Sequence, residues 1–163
     1  MKKALSFIFA AMFLFCTAAL PASADSESTN MVLVSETVEK LEDGSEIVTV
    51  IYEEVPAVAT ASTTYSKSGS KTTTYRNSDG EAQVALTTSG TFTVVSGVSS
   101  TCTASSVLTT IYNSDWSVSS KSASKSGNKA IGNGTFKRKL LGITVDTKDL
   151  TCTLTCSVNG VLS

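Results

Sequence analysis

The stretch LTCTLTCSV, residues 150–158, alternates two kinds of residue with a period of two. One parity holds the apolar residues Leu150, Cys152, Leu154, Cys156 and Val158, and the intervening positions are mostly threonine. Successive side chains of an extended strand point to opposite faces, so this period is that of a β-strand. The pattern predicts a strand with one face in a core and the other in solvent.

The same alternation recurs through the body of the chain. In QVALTTSGTFTVV it places five residues on one face: Val84, Leu86, Thr88, Phe92 and Val94. Serine and threonine are abundant and turn residues are frequent, whereas no segment after residue 24 has a helical period. We therefore expect an all-β fold, an antiparallel β-sandwich of Ig-like or similar Greek-key type with an N-terminal β-hairpin.

The first 24 residues have the three parts of a secretory signal peptide. Lys2 and Lys3 precede the apolar run Ala4–Leu20, and Ala22-Ser23-Ala24 supplies a small-residue exit. The run is short for a bilayer span, which disfavours an uncleaved anchor. We expect cleavage after Ala24 and a secreted, extracellular protein that loses Cys16 with its leader.

Two further segments differ in charge. Residues 25–60 hold nine acids and one lysine, and residues 61–163 hold ten bases and five acids. In the first segment, two β-rich runs flank Glu42-Asp43-Gly44-Ser45, a strong hairpin signal. We expect an acidic N-terminal hairpin and linker at 25–60 and a β-sandwich domain at 61–163. The acidic segment is open to three interpretations: part of the fold, a propeptide or a mobile arm.

Several stretches resemble one group of proteins. They are ETVEKLEDGSEIVTVIYEE, SKSGNKAIGNGTFKRKLLGI and TVDTKDLTCTLTCSVNG, together with the leader. They are similar to small secreted β-rich proteins of Gram-positive, mainly clostridial, bacteria, a group without assigned function. The resemblance implies a secreted bacterial β-protein and adds no catalytic residue.

The cysteines after the leader are Cys102, Cys152 and Cys156. On a strand, Cys152 and Cys156 lie about 13 Å apart, too far to share a metal ion or a disulfide bond. If the strands of Cys102 and Cys156 are antiparallel neighbours, the start of one lies beside the end of the other. We therefore predict a Cys102–Cys156 disulfide and a free, buried Cys152 thiol, with an intermolecular bond through Cys152 as the alternative.

The sequence offers few residues that are suited to catalysis. The chain has no histidine, so the commonest neutral-pH acid–base group and metal ligand is missing. Three Ser-x-x-Lys matches fall in serine-rich, turn-like stretches without the partner motifs of a hydrolase: Ser68/Lys71, Ser122/Lys125 and Ser126/Lys129. We predict no catalytic residue, no metal site, no cofactor and no enzymatic activity.

The best binding candidate is a cluster of cations: Lys121, Lys125, Lys129, Lys137, Arg138 and Lys139. Such a patch suits an anionic cell-wall polymer or a membrane surface. Few aromatic residues interleave it, so we do not expect nucleic acid as a partner. The cluster equally suits a solubilising surface or a seat for the acidic segment. The sequence favours a non-enzymatic surface- or envelope-binding module, with a bacteriocin- or toxin-like membrane-active protein as the alternative.

Overall fold

The computed structural model describes residues 30–55 and 62–163. These residues form eight β-strands: β1 Asn30–Lys40, β2 Glu46–Val55, β3 Thr64–Arg76, β4 Ala82–Val95, β5 Ser99–Ile111, β6 Trp116–Ser126, β7 Lys129–Leu140 and β8 Ile143–Thr155. The predicted leader, residues 1–24, and the predicted boundary at residues 60 and 61 lie outside the described residues.

The described strands form two antiparallel sheets, in the orders β1-β2-β3-β4-β5 and β6-β7-β8. This confirms the prediction of an all-β fold. The predicted Ig-like or Greek-key arrangement is not confirmed, because every hydrogen-bonded neighbour in these strands is also a neighbour in the chain. Frequent short turns favour such a sequential order, and strand periodicity alone does not distinguish it from a Greek key.

β1 and β2 pair through a turn at Leu41–Ser45, and β2 then pairs along its length with β3. The first two strands are therefore two of the five strands of this sheet. Ile51, in the largely apolar strand β2, is buried in the core. β1 remains at the sheet edge, and the apolar side chains of Met31, Val32 and Leu33 are exposed there.

The core lies between the sheets and consists of two clusters. The first cluster comprises Ile51, Phe92, Val94, Cys102, Ala130, Leu154, Cys156 and Leu162. The second comprises Tyr75, Val84, Leu86, Trp116, Phe136, Leu150 and Cys152. The predicted β4 face is fully buried, and so is the predicted β8 face except for Val158, which follows the strand and is exposed.

The sheets approach closely at Gly132 on β7. A Cβ at this position would clash with Thr88 Oγ1 and lie 2.6 Å from Val107 Cγ2. Thr88 uses the adjacent space to reach β8, where its hydroxyl donates a hydrogen bond of 2.9 Å to the carbonyl oxygen of Cys152. A glycine here leaves room for this polar contact between the sheets.

The connections lie at two opposite ends of the sheets. The β1–β2, β3–β4, β5–β6 and β7–β8 turns share one end, because consecutive strands are antiparallel. At this end Lys139 N donates a hydrogen bond to Asp115 O in the β5–β6 turn. The β4–β5 turn, with Gly97, lies at the other end, where Gly97 N donates to Val158 O. The candidate site is at the first end.

Candidate functional site

The end of the β7–β8 hairpin projects beyond the strands around it. The β6–β7 ladder stops at the pair Trp116–Arg138, whereas β7 and β8 continue to the pair Leu140–Ile143. Every residue from 138 to 145 is exposed. We call this exposed segment, residues 138–145, the β7–β8 tip. At about 3.3 Å per residue, its apex lies about 10 Å beyond Arg138.

The apex is a two-residue turn formed by Leu141 and Gly142. Their φ angles are 51° and 82°, and positive φ at both central residues defines the type I′ turn that favours tight hairpins. Asparagine, aspartate or glycine normally occupies the first of these positions, since a bulky side chain is strained there. Leu141 is the only non-glycine residue with positive φ among the described residues, and it is 96% exposed.

Three further apolar side chains surround the apex. Leu140 is 57% exposed, Ile143 70% and Val145 52%. Leu140 and Ile143 are cross-strand partners, so their side chains share one face of the hairpin. Val145 has no partner because the register shifts between Arg138 and Lys139, a β-bulge that locally twists the hairpin. The tip is thus an exposed apolar surface on a narrow projection.

Cations lie directly behind this surface. Arg138 is 3.7 Å from Asp115, and Lys148 is 3.8 Å from Asp146. Both acids near the base of the tip therefore have basic partners. Lys137 and Lys139 form no ion pair with any described residue. The tip combines an apolar apex with two uncompensated positive charges at its base.

The rest of the predicted cationic patch lies elsewhere. Lys121 and Lys125 are exposed on β6, opposite the buried residues Gly134 and Ala130 of β7, and Lys125 Nζ donates a hydrogen bond of 2.6 Å to Thr103 O. Lys129 starts β7 at the other end of the sheets, about 26 Å along the strand from Lys137. The structure therefore groups Lys137, Arg138 and Lys139 and separates them from the other three cations.

The three described cysteines are free thiols, and all are buried. Cys102 lies on β5 and Cys156 directly follows β8, and these strands belong to different sheets, so the assumption that they are antiparallel neighbours is wrong. Cys102 and Cys156 nevertheless belong to the same core cluster. Their backbone amides donate to adjacent carbonyls of the β6–β7 turn, Cys102 to Gly127 at 2.8 Å and Cys156 to Asn128 at 3.0 Å. Burial raises the pKa of the Cys102 thiol, and the charge of Lys125 partly opposes this increase.

Cys152 occupies a different place. It lies in the other core cluster and is 1% exposed, and its thiol donates a hydrogen bond of 3.0 Å to Lys71 O. Cys152 and Cys156 therefore pack against different neighbours. A thiol that is enclosed and already hydrogen-bonded is a poor site for surface chemistry.

The described residues offer little support for catalysis. Ser68 and Lys71 are an odd number of residues apart on β3, so their side chains lie on opposite faces of the sheet. A depression of about 150 Å³ on the five-stranded sheet is lined by hydroxyls and by Glu54 as its one ionisable residue. No group of three or more metal-ligating side chains occurs within residues 30–55 and 62–163.

No protein-family model, curated protein or solved structure matches the chain. Nor do the described residues include a helix of the length and apolar character that a membrane crossing requires. The candidate site is therefore defined by its own geometry. Sequence reasoning singled out the cations of this segment but missed Leu140, Leu141, Ile143 and Val145. The available signal was Gly142 within the apolar run Leu140–Ile143, since an isolated glycine inside a strand pattern marks a turn or a bulge.

Proposed function

We propose that this protein is a secreted, non-enzymatic module that binds a cell surface or envelope. The observation that carries the proposal is the β7–β8 tip, where exposed apolar side chains project beyond Lys137 and Lys139. Contiguous exposed apolar surface next to uncompensated charge is typical of interaction sites. The predicted leader supports export, and few aromatic residues accompany the cations, which disfavours nucleic acid as the ligand.

Envelope binding is tested with the exported protein and a fractionated bacterial envelope, assayed for both walls and membranes. The double variant Lys137→Glu/Lys139→Glu should weaken retention several-fold. The matched control, Lys121→Glu/Lys129→Glu, makes the same net charge change away from the tip and should retain binding. Equal losses in the two variants, or no retention of the parent protein on any fraction, would reject the proposal.

The tip also favours a second candidate function, a bacteriocin- or toxin-like action on membranes. An exposed leucine-rich apex next to cations is a feature that membrane-active proteins share with passive anchors. Release of an entrapped dye from liposomes at low protein concentration would favour this function. Retention on membranes without dye release would favour the binding module.

We further propose that the secreted form carries a Cys102–Cys156 disulfide and a free Cys152 thiol. Shared burial and adjacent anchoring to the β6–β7 turn support this pairing. The bond would close a 54-residue loop, for which the chain-entropy model gives about 4 kcal/mol of stabilisation. Peptide mapping without reductant tests the pairing, and a Cys102–Cys152 bond, a Cys152-linked dimer or three free thiols would contradict it.

A further inference from the structure

We propose that the β7–β8 tip is a lipid anchor, whose Leu140, Leu141 and Ile143 side chains enter the interface of an anionic bilayer. Lys137 and Lys139 then lie at the depth of the lipid headgroups. This inference rests on the proposed envelope-binding function and names the lipid membrane, rather than the wall polymer, as the partner.

The apolar apex distinguishes the two partners. A hydrated anionic polymer is bound through cations and hydrogen-bond donors, and its binding gains little from exposed leucine. A bilayer interface accommodates both features, since it takes apolar side chains to a depth of about 5–10 Å and attracts basic residues behind them. Leu141 is 96% exposed at the farthest point of the hairpin, where only an apolar partner would remove it from water.

The shape of the tip suits shallow insertion. Its projection of about 10 Å matches the interfacial depth, and β6 ends before the apex. Leu140 and Ile143 pair across a two-residue turn, so the hairpin satisfies part of its own backbone hydrogen bonding as it leaves water. Unpaired backbone groups on the hairpin edges oppose deeper entry into hydrocarbon. The geometry therefore predicts an interfacial anchor.

Backbone strain at Leu141 is a second, independent observation. Polar or glycine residues form several other turns among the described residues, including Asp43-Gly44, Asp79-Gly80 and Asn159-Gly160. At the β7–β8 turn a leucine instead adopts φ 51°, although neither the turn nor the core requires that side chain. Strained residues that break a local rule are concentrated at functional sites.

Acidic turns at the same end limit the electrostatic part of the binding. Glu42, Asp43, Asp79 and Glu81 lie in the β1–β2 and β3–β4 turns, and an anionic surface repels them. The tip must therefore reach the interface ahead of these turns, and apolar insertion must supply most of the affinity. We accordingly expect binding to persist at high salt, where surface charges are screened.

The test is cosedimentation of the full exported protein with phosphatidylcholine vesicles containing phosphatidylglycerol. Leu141→Asp should lower the partition coefficient about tenfold or more, as expected for loss of a buried leucine. The control Val98→Asp changes an apolar side chain that is 73% exposed in the β4–β5 turn at the opposite end, and it should bind normally. Circular dichroism confirms that both variants are folded.

Purified cell walls stripped of lipid provide the second arm. If the parent protein binds vesicles and Leu141→Asp does not, the lipid anchor is supported. If the parent protein binds stripped walls but not vesicles, the envelope-binding function is supported and the lipid anchor is wrong. If the parent protein binds neither vesicles nor stripped walls, both proposals are wrong. Equal vesicle binding by parent and Leu141→Asp proteins would also overturn the anchor.

Discussion

Thr88 on β4 and Cys152 on β8 join the two sheets through a hydrogen bond of 2.9 Å between the Thr88 hydroxyl and the Cys152 carbonyl oxygen. Both residues are almost completely buried. A bond in this position fixes the register of the sheets relative to each other, which apolar packing alone specifies less strictly. A buried polar pair of this kind is costly to break because the remaining partner has no water to replace it.

Thr88→Val should therefore reduce the free energy of unfolding by about 1–3 kcal/mol, because it removes the hydroxyl and leaves the buried carbonyl without this donor. Urea denaturation measures the change. Thr87→Val is the matched control, since Thr87 lies on the other face of β4 and its hydroxyl bonds Thr72 in a half-buried position. Equal losses of unfolding free energy in the two variants would show that the cross-sheet bond stabilises the fold no more than the half-buried Thr87–Thr72 bond does.

Gly132→Ala should destabilise the fold by about 1–3 kcal/mol, the usual cost of overpacking a close contact. The added methyl group would meet Thr88 and Val107 from the opposite sheet. Asn133→Ala, at the exposed neighbouring position on β7, should change stability by less than about 0.5 kcal/mol. Thermal unfolding of both variants distinguishes the two positions, and a neutral Gly132→Ala would contradict the observed sheet spacing.

Leu141→Asn should separate stability from binding. Asparagine suits positive φ, so the variant should gain about 0.5–1 kcal/mol in unfolding free energy. It should also lose affinity for anionic vesicles, because the apolar apex is gone. Paired measurements of melting temperature and vesicle partition check this. A variant that is no more stable, or that binds as tightly as the parent, would contradict the assignment of Leu141.

Stability should fall at alkaline pH in the reduced protein. Burial raises the pKa of Cys102 above the ordinary value of 9.0, so the folded state holds this proton more tightly than the unfolded state. The resulting stabilisation is fully present below the unfolded pKa of 9.0 and is lost as the pH rises through the folded pKa. Denaturation between about pH 8 and 11, with Cys102→Ala as control, should show a smaller alkaline loss in the variant.

Strand periodicity was sufficient to predict the all-β class and the inward faces of β4 and β8. Alternation places Phe92 and Leu154 on defined faces, and both side chains are completely buried. The order of the strands was not predictable in the same way. Periodicity assigns a residue to a face but does not say which strand lies beside it.

The candidate site shows a different limit of sequence reasoning. The sequence showed the adjacent cations Lys137-Arg138-Lys139, but it also showed Lys121 and Lys129. A count of charges does not show which of these cations lie close together in the fold. The exposure of Leu140 and Leu141 depends on where β6 ends relative to the hairpin. That relation is a long-range property of the sheet, and apolar residues in sequence otherwise suggest a core.

The most direct measurement of the proposed lipid anchor is fluorescence from Leu141→Trp in the full exported protein. Trp116 is buried in the core, so its emission should stay constant on binding. Any change in fluorescence then comes from the new indole at position 141. With anionic vesicles, its emission should move to shorter wavelength and be quenched by lipids brominated near the headgroup end of the acyl chain, while Val98→Trp remains unchanged. Emission from the Leu141→Trp variant that stays unshifted and unquenched on vesicle-bound protein would contradict insertion of the β7–β8 tip.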